Sequence, residues 1–353
     1  MKVALGSNII KGPWGGGNLF TINLTNYLNQ HNVEVKNSLE DLDINVIVLT
    51  EPRIESSTSS ITLFEALLYK KLVNKNVAII HRVNECDERK GTNYVNKKMI
   101  KVSKKSDYTI FVSSWIKNLY SEIGLIKKES KVILSGSNTK VFNKIDKVKW
   151  NKKSKLKIVT HHWGNNWNKG FDIYRQLDLL LDDPQLSSKF EFTYVGNIPK
   201  NLNFKNVIIK KPLSDYDLSK ELKSHDLYIT GSIYEPSGNH HIEASLCGLP
   251  VLYLNSGGIP EYQNLYGIEF SSSNLREKLI EIYDDYEMFF TKNLKFPFES
   301  NKMCHEYYEL FKSISVSKIS TYRLPQYFYR LVYRKKVFEI YKKFVARLIY
   351  QIR

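Results

Sequence analysis

The chain of 353 residues carries a formal net charge of +16, 42% hydrophobic residues and three cysteines. That length suits two domains, and no apolar run approaches the roughly 18 residues a membrane span needs. Cys86, Cys247 and Cys304 are odd in number, far apart and without a CxxC pair, which argues against a disulfide framework or a zinc site and for reduced thiols.

The first residues, MKVALGSNII, hold too short an apolar stretch for a secretion signal and read as a core strand, so an intracellular protein is expected. Further strands are predicted at 46–49, 77–80, 109–112 and 132–134, with helices at 18–30, 62–73, 95–104 and 114–123 between them. Such alternation implies parallel βαβ units with right-handed crossovers. Residues 138–155 break the pattern with seven lysines, one acid and no apolar period, and read as a linker. The alternation restarts with strands at 156–160, 190–195, 207–209, 227–229 and 251–254 and helices at 171–181, 218–223, 240–247 and 275–286. From 316 to 353 no strand follows, and ten Lys or Arg face one acid, Glu339, so +9 of the net charge sits in the tail.

The expected fold class is α/β: two Rossmann-like doubly wound domains with a cleft between them, plus a basic helical C-terminal tail. The expected division is a first domain over 1–142, a Lys-rich linker over 143–155, a second domain over 156–315, and a tail over 316–353. Ligands of doubly wound sheets bind at the carboxyl ends of the strands, so the loops there should carry the chemistry.

Four loops occupy that position. In IYEPSGNHHIEASLCGLPVLY, Glu235 lies on the loop after a strand and Glu243 on the helix that follows, with Asn239 as its cap. A helix N-terminus is a ready anion site. Two carboxylates beside it suit a ligand with both hydroxyls and phosphate, although acids at helix starts are common anyway. In HHWGNNWNKGF, Lys169 precedes a helix and can reach a phosphate. In GPWGGGNLF, Gly15, Gly16 and Gly17 let backbone approach a ligand, without a dinucleotide or Walker fingerprint. In HRVNECDERKG, His81 stands at a strand end, and Arg82, Asp87, Arg89 and Lys90 could meet a polar acceptor or be solvated.

Together these loops resemble the retaining glycosyltransferases of GT-B fold, specifically the large family 4 group, over roughly residues 1–315. The E-x7-E signature is matched by Glu235 and Glu243, continued by ASLCGLPV and NSGGIPE, with Lys169-Gly170, the Gly-rich first loop and SGSNTKVF in agreement. The resemblance implies that Glu235 binds donor sugar hydroxyls and Glu243 the ribose. It implies that Gly238, Asn239 and His240 offer backbone N–H groups, that Lys169 neutralises the leaving diphosphate, and that Gly16 and Gly17 approach the phosphate. It gives His81 a catalytic place near the transferred sugar with Lys169 and Glu235, and it puts the acceptor on the first domain and the donor on the second; Arg82 and Asn84 of the fourth loop are then the expected acceptor-binding residues. Where the family often has an Arg six positions before the Lys, this chain has Trp163.

The activity so implied is transfer from a nucleotide-diphosphate sugar to a hydroxyl acceptor with retained configuration, by front-face attack. The setting is cell-surface polysaccharide, lipopolysaccharide or glycolipid assembly. No cofactor and no metal are expected: the adjacent histidines at 161, 162, 240 and 241 lack usual ligand spacing. The partners are the donor and a glycan or lipid-linked acceptor. The basic amphipathic tail suits an anionic membrane surface from the cytoplasmic side, or packing on the first domain. Alternatives are a nucleotide-sugar epimerase or a phosphorylase on the same architecture, or a non-catalytic basic binding protein; no nucleic-acid motif is present.

Overall fold

The computed structural model describes residues 1–10, 12, 15–315 and 329. Six short strands build the first lobe: β1 Lys2–Leu5, β2 Glu34–Lys36, β3 Val46–Leu49, β4 Ala78–Val83, β5 Tyr108–Phe111 and β6 Ser130–Val132. All neighbours are parallel, in the order β2-β1-β3-β4-β5-β6. Six more build the second lobe: β7 Leu156–His162, β8 Phe190–Gly196, β9 Val207–Lys210, β10 Leu227–Thr230, β11 Val251–Leu254 and β12 Ile268–Phe270. They run parallel in the order β12-β11-β10-β7-β8-β9. The chain reverses its direction of winding between β7 and β10, and the crevice at that point is where doubly wound sheets hold ligands.

The central strands form because they are apolar on both faces. VIVL of β3 is buried at every position, as a parallel sheet covered by helices requires. The two strands not foreseen, β2 and β12, are three residues long and lie at sheet edges. There only one neighbour contributes hydrogen bonds, and the sequence is too short and mixed to show a period.

Two features alter the expected domain organisation. The Lys-rich segment is strapped to the second lobe. Lys147, 2% exposed in its side chain, donates to the carbonyls of Lys223 and His225, Lys152 donates to Asp284 O at 2.7 Å, and Trp150 packs in the core with Leu156. The helix Ser300–Ile314 crosses back. Its Met303, Cys304, Tyr307 and Phe311 join Val3, Leu5, Phe20 and Ile80 in a first-lobe core, although the stretch to 315 was expected in the second domain.

The two crossings run side by side: Ser300 N donates to Ser137 O at 2.8 Å, and a Cβ on Gly136 would lie 2.3 Å from Glu299 O. The lobes also touch through Glu261, the acid that closes NSGGIPE. Its carboxylate accepts from Ser114 N at 2.8 Å and Trp115 N at 2.7 Å, at the start of the helix Ser114–Glu122.

The three thiols are buried and free. Among the described residues no helix is long and apolar enough to cross a membrane. The basic tail expected over 316–353 lies outside the described residues except Tyr329, which is buried against Tyr69 and donates to Leu39 O at 3.1 Å.

Candidate active site

The loops after β7 and β10 come together because glycine lets them. Gly170 has φ +99, and a Cβ there would sit 2.5 Å from the Gly231 carbonyl carbon. Ile233 N donates to Asn168 O at 2.9 Å and Ser232 Oγ to Lys169 O at 3.3 Å, which fixes one loop on the other. The backbone of Glu235 is then gripped by the loop after β11. Gly258 N donates to Glu235 O at 2.9 Å, and Gly257, at φ +65, approaches so closely that a Cβ would lie 2.3 Å from that oxygen.

Glu235 is therefore buried with a fixed direction. Its Oε2 accepts from Lys169 Nζ at 2.6 Å, and Arg89 Nε of the first lobe lies 3.1 Å from its Oε1, off the hydrogen-bond direction. Burial by itself would raise the carboxyl, but the Arg89 and Lys169 charges outweigh it and hold Glu235 well below the usual carboxylate range. Burial also lowers the Lys169 ammonium, against the pull of Glu235. Arg89 is itself anchored by Glu85, its Nη1 donating to the two carboxylate oxygens at 2.9 and 3.0 Å. Asn168 Nδ2 donates to the Glu88 and Arg89 carbonyls, both at 3.1 Å, so the second lobe also holds the turn that carries Arg89.

Behind this pair lies a buried histidine cluster. His161 Nε2 meets Glu243 Oε2 at 3.0 Å, His162 Nε2 meets the Tyr174 hydroxyl at 2.7 Å, and His240 Nε2 meets Thr230 Oγ1 at 2.9 Å. The His162 and His240 rings are 4.7 Å apart, and burial drives both well below the ordinary histidine value. His241 Nε2 donates to Ser237 O at 2.6 Å and its Nδ1 accepts from Gln263 Nε2 at 3.0 Å, and burial lowers it to about 4. The His162, His240 and His241 rings are neutral members of a packed network. Among the described residues no group of three or more His, Cys, Asp or Glu is arranged to hold a metal ion.

One cavity of about 650 Å³ runs between the lobes. Lys169, Glu235, Gly238, Asn239, His240 and Glu243 line it from the second lobe, and Gly16, Arg82 and Asn84 from the first. A Cβ on Gly16 would stand 3.2 Å from the Asn239 side chain, so the starts of the helices Gly16–Gln30 and Asn239–Leu246 face each other across it. Neither start has a side-chain cap. Two sets of backbone N–H groups and two positive helix ends thus converge on one space, which favours a polyanion.

Several expected residues sit elsewhere. His81 does not line the cavity: it is fully buried in β4, its Nδ1 2.7 Å from Ser103 Oγ, and burial lowers it to about 3. The strand runs on to Val83, so the position expected at its end is mid-strand and faces the helix Val95–Lys105. Gly17 lies inside the first helix and off the cavity wall, its carbonyl accepting from Thr21 Oγ1. Asn239 opens its helix instead of capping it, with Gly238, at φ +72, in the preceding place. Asp87 is also structural: it accepts from Thr92 Oγ1 and from Tyr94, Val95 and Asn96 N–H groups. The residues sequence reasoning underrated are Arg89, named only as one of four loop charges, and His161, which orients Glu243.

Residues 189–288, which hold both glutamates, match the family model for glycosyl transferases group 1. HepE of Anabaena, solved with UDP-glucose, superposes with a TM-score of 0.65 over 89% of this chain and 100% of its own, at 13% identity. The chain has the GT-B glycosyltransferase fold. A glycosyltransferase from Rickettsia africae shares that GT-B fold with a TM-score of 0.62 at 16% identity, covering 89% of this chain and 98% of the other. Sucrose-phosphate synthase of Thermosynechococcus elongatus does so with 0.63 at 14% identity, again over 89% and 98%. In sequence, the chain is 25% identical over 233 residues to an uncharacterized 41.2 kDa protein in the cps region of Klebsiella pneumoniae, a match covering 60% of this chain and 63% of that relative, under two thirds of its length.

Proposed function

We propose that the chain transfers a sugar from a nucleotide-diphosphate sugar to a hydroxyl of a glycan or lipid-linked acceptor, with retention and without a metal, in assembly of a cell-surface polysaccharide. The observation that carries this is the Lys169–Glu235 contact of 2.6 Å beside the uncapped helix start at Asn239. It supplies a cation and backbone donors for a diphosphate next to an ionised carboxylate for sugar hydroxyls. The UDP-glucose bound to HepE and the cps setting of the Klebsiella relative support the same reading.

In this mechanism the diphosphate draws Lys169 from Glu235, which leaves Glu235 free to accept from hydroxyls near the reacting carbon. Glu243, oriented by His161, holds the ribose. The anomeric C–O bond to the diphosphate breaks as charge grows on the leaving oxygen, where Lys169 and the helix start stabilise it. The acceptor hydroxyl attacks the same face, its oxygen bonds the anomeric carbon, and its proton passes to a phosphate oxygen. With the proton taken by the leaving phosphate, the step needs no protein base, and His81, which does not line the cavity, has no part in it. The cytoplasmic face of the membrane, where nucleotide sugars and lipid-linked acceptors meet, is the proposed location.

A thermal-shift screen of sugar nucleotides identifies the donor, and NMR of the product gives its configuration. An inverted linkage overturns retention, activity abolished by excess chelator overturns metal independence, and product formed without acceptor points to an epimerase.

A further inference from the structure

Among the described residues, the first-lobe half of the cavity holds one arginine without an ion pair. Arg53 pairs with Glu51 through contacts of 2.7 and 2.5 Å, and Arg89 and Lys90 both pair with Glu85. Arg82 is only 5% exposed, lines the same cavity, and has no ion pair among the described residues. Its Nε and Nη1 are buried without a hydrogen-bond partner. The guanidinium lies 4.0 Å from the centre of the Phe20 ring, and the Tyr307 hydroxyl, also without a well-formed hydrogen bond, lies against it. The register that pairs Leu49 with His81 puts Thr50 beside Arg82 one step on, and Thr50 Oγ1 is buried and unpartnered too.

A buried cation without a partner is costly, and a ring face compensates only part of that cost. Arg82 puts unmatched guanidinium donors on the wall of a binding cavity, with no anion of the protein to meet them, and so offers a receptor for a group that the protein does not contain. The fork of the guanidinium suits a planar or tetrahedral oxyanion. Resting on the reading that the first lobe receives the acceptor, we propose that Arg82 recognises an oxyanion on that acceptor. The chain thus glycosylates an acidic substrate, one bearing a carboxylate or a phosphate, and selects against neutral ones.

The test is calorimetry on the full chain, first saturated with UDP or GDP, whichever binds. Methyl glucuronide, glucose 1-phosphate and methyl glucoside are the probes. An anionic probe should bind roughly ten- to a hundredfold tighter than the neutral one, the scale of hydrogen bonds to a charged group. Which anion gains tells a carboxylate from a phosphate acceptor. In Arg82→Gln that advantage should vanish while nucleotide affinity stays the same, and in Arg82→Lys it should fall partway. The melting temperature of Arg82→Gln should match or exceed that of the unaltered chain, because unmatched buried charge is removed; a clear drop marks a structural residue and overturns the proposal. Equal binding of charged and neutral probes by the unaltered chain also overturns it, and needs no variant. Failure of the chain to bind any nucleotide would instead sink the donor-site reading.

Discussion

Arg89 Nε of the first lobe stands 3.1 Å from Glu235 Oε1 of the second, so an ion pair of the cavity spans the cleft. Glu235 is held from both sides, by Lys169 of its own lobe and by Arg89 of the other. The cleft position and the state of the carboxylate are therefore linked.

Arg89→Met tests that link. Glu85 keeps Lys90 and Glu235 keeps Lys169, so the stability loss should stay near 1–3 kcal/mol. The radius of gyration of the unliganded chain, measured by small-angle scattering, should increase, and transfer should slow. An unchanged radius and unchanged rate would show that the pair does not hold the lobes.

Glu235→Gln should reduce turnover by roughly 10²–10³-fold, the scale for losing one transition-state electrostatic contact. Nucleotide affinity should change little, because Lys169 and the helix start remain. Steady-state kinetics beside nucleotide calorimetry separate the two effects. A variant that loses nucleotide binding in proportion to turnover would place Glu235 on the phosphate side instead.

Gly238→Ala introduces a side chain at φ +72, with its Cβ 2.7 Å from His240 Cε1 and 2.9 Å from Glu235 Cγ. The backbone strain is on the order of 1–3 kcal/mol, and Glu235 must shift to make room. Both melting temperature and turnover should fall. Retained turnover with lowered stability would mean that the loop relaxes away from the site.

Acid sensitivity follows from the histidines. Burial lowers His81 to about 3 and His241 to about 4, and it lowers His162 and His240 well below 6.5. Unfolded, each ring takes up a proton as pH falls through about 6.5; folded, it does so only at much lower pH. Between those limits the unfolded chain binds more protons, so stability is full at neutral pH and declines below about 6.5. Each ring contributes about 1.4 kcal/mol per pH unit. The lowered Glu235 adds a further loss below its unfolded value near 4.5. Denaturant titrations from about pH 7.5 to 5 should show this slope, and His81→Asn should reduce it by about one proton. A flat profile would mean that the rings protonate in place.

Much of this was legible because motif and strand end coincide. Glu235 and Lys169 sit on the connections that follow strands of strongly apolar sequence, and Glu243 on the helix just beyond one of them, so their positions follow from the βα order. Arg89 was not legible as a partner of Glu235, since nothing local says that its turn bends across to the second lobe. His81 was misplaced by strand length: β4 extends to Val83, and a residue's distance from the strand end decides whether it meets ligand or core. The Lys-rich segment read as a linker because its composition is polar and without apolar period, yet Lys147 buries its stem and satisfies its ammonium on carbonyls.

The returning helix Ser300–Ile314 bears on how the chain is made. Val3, Phe20 and Leu24 are made before the Tyr307 and Phe311 that cover them, which emerge almost three hundred residues later. The first lobe must wait, its hydrophobic seam open on the ribosome, until the second lobe has been translated and the helix has come back to seal it. The half that begins first is the half that matures last.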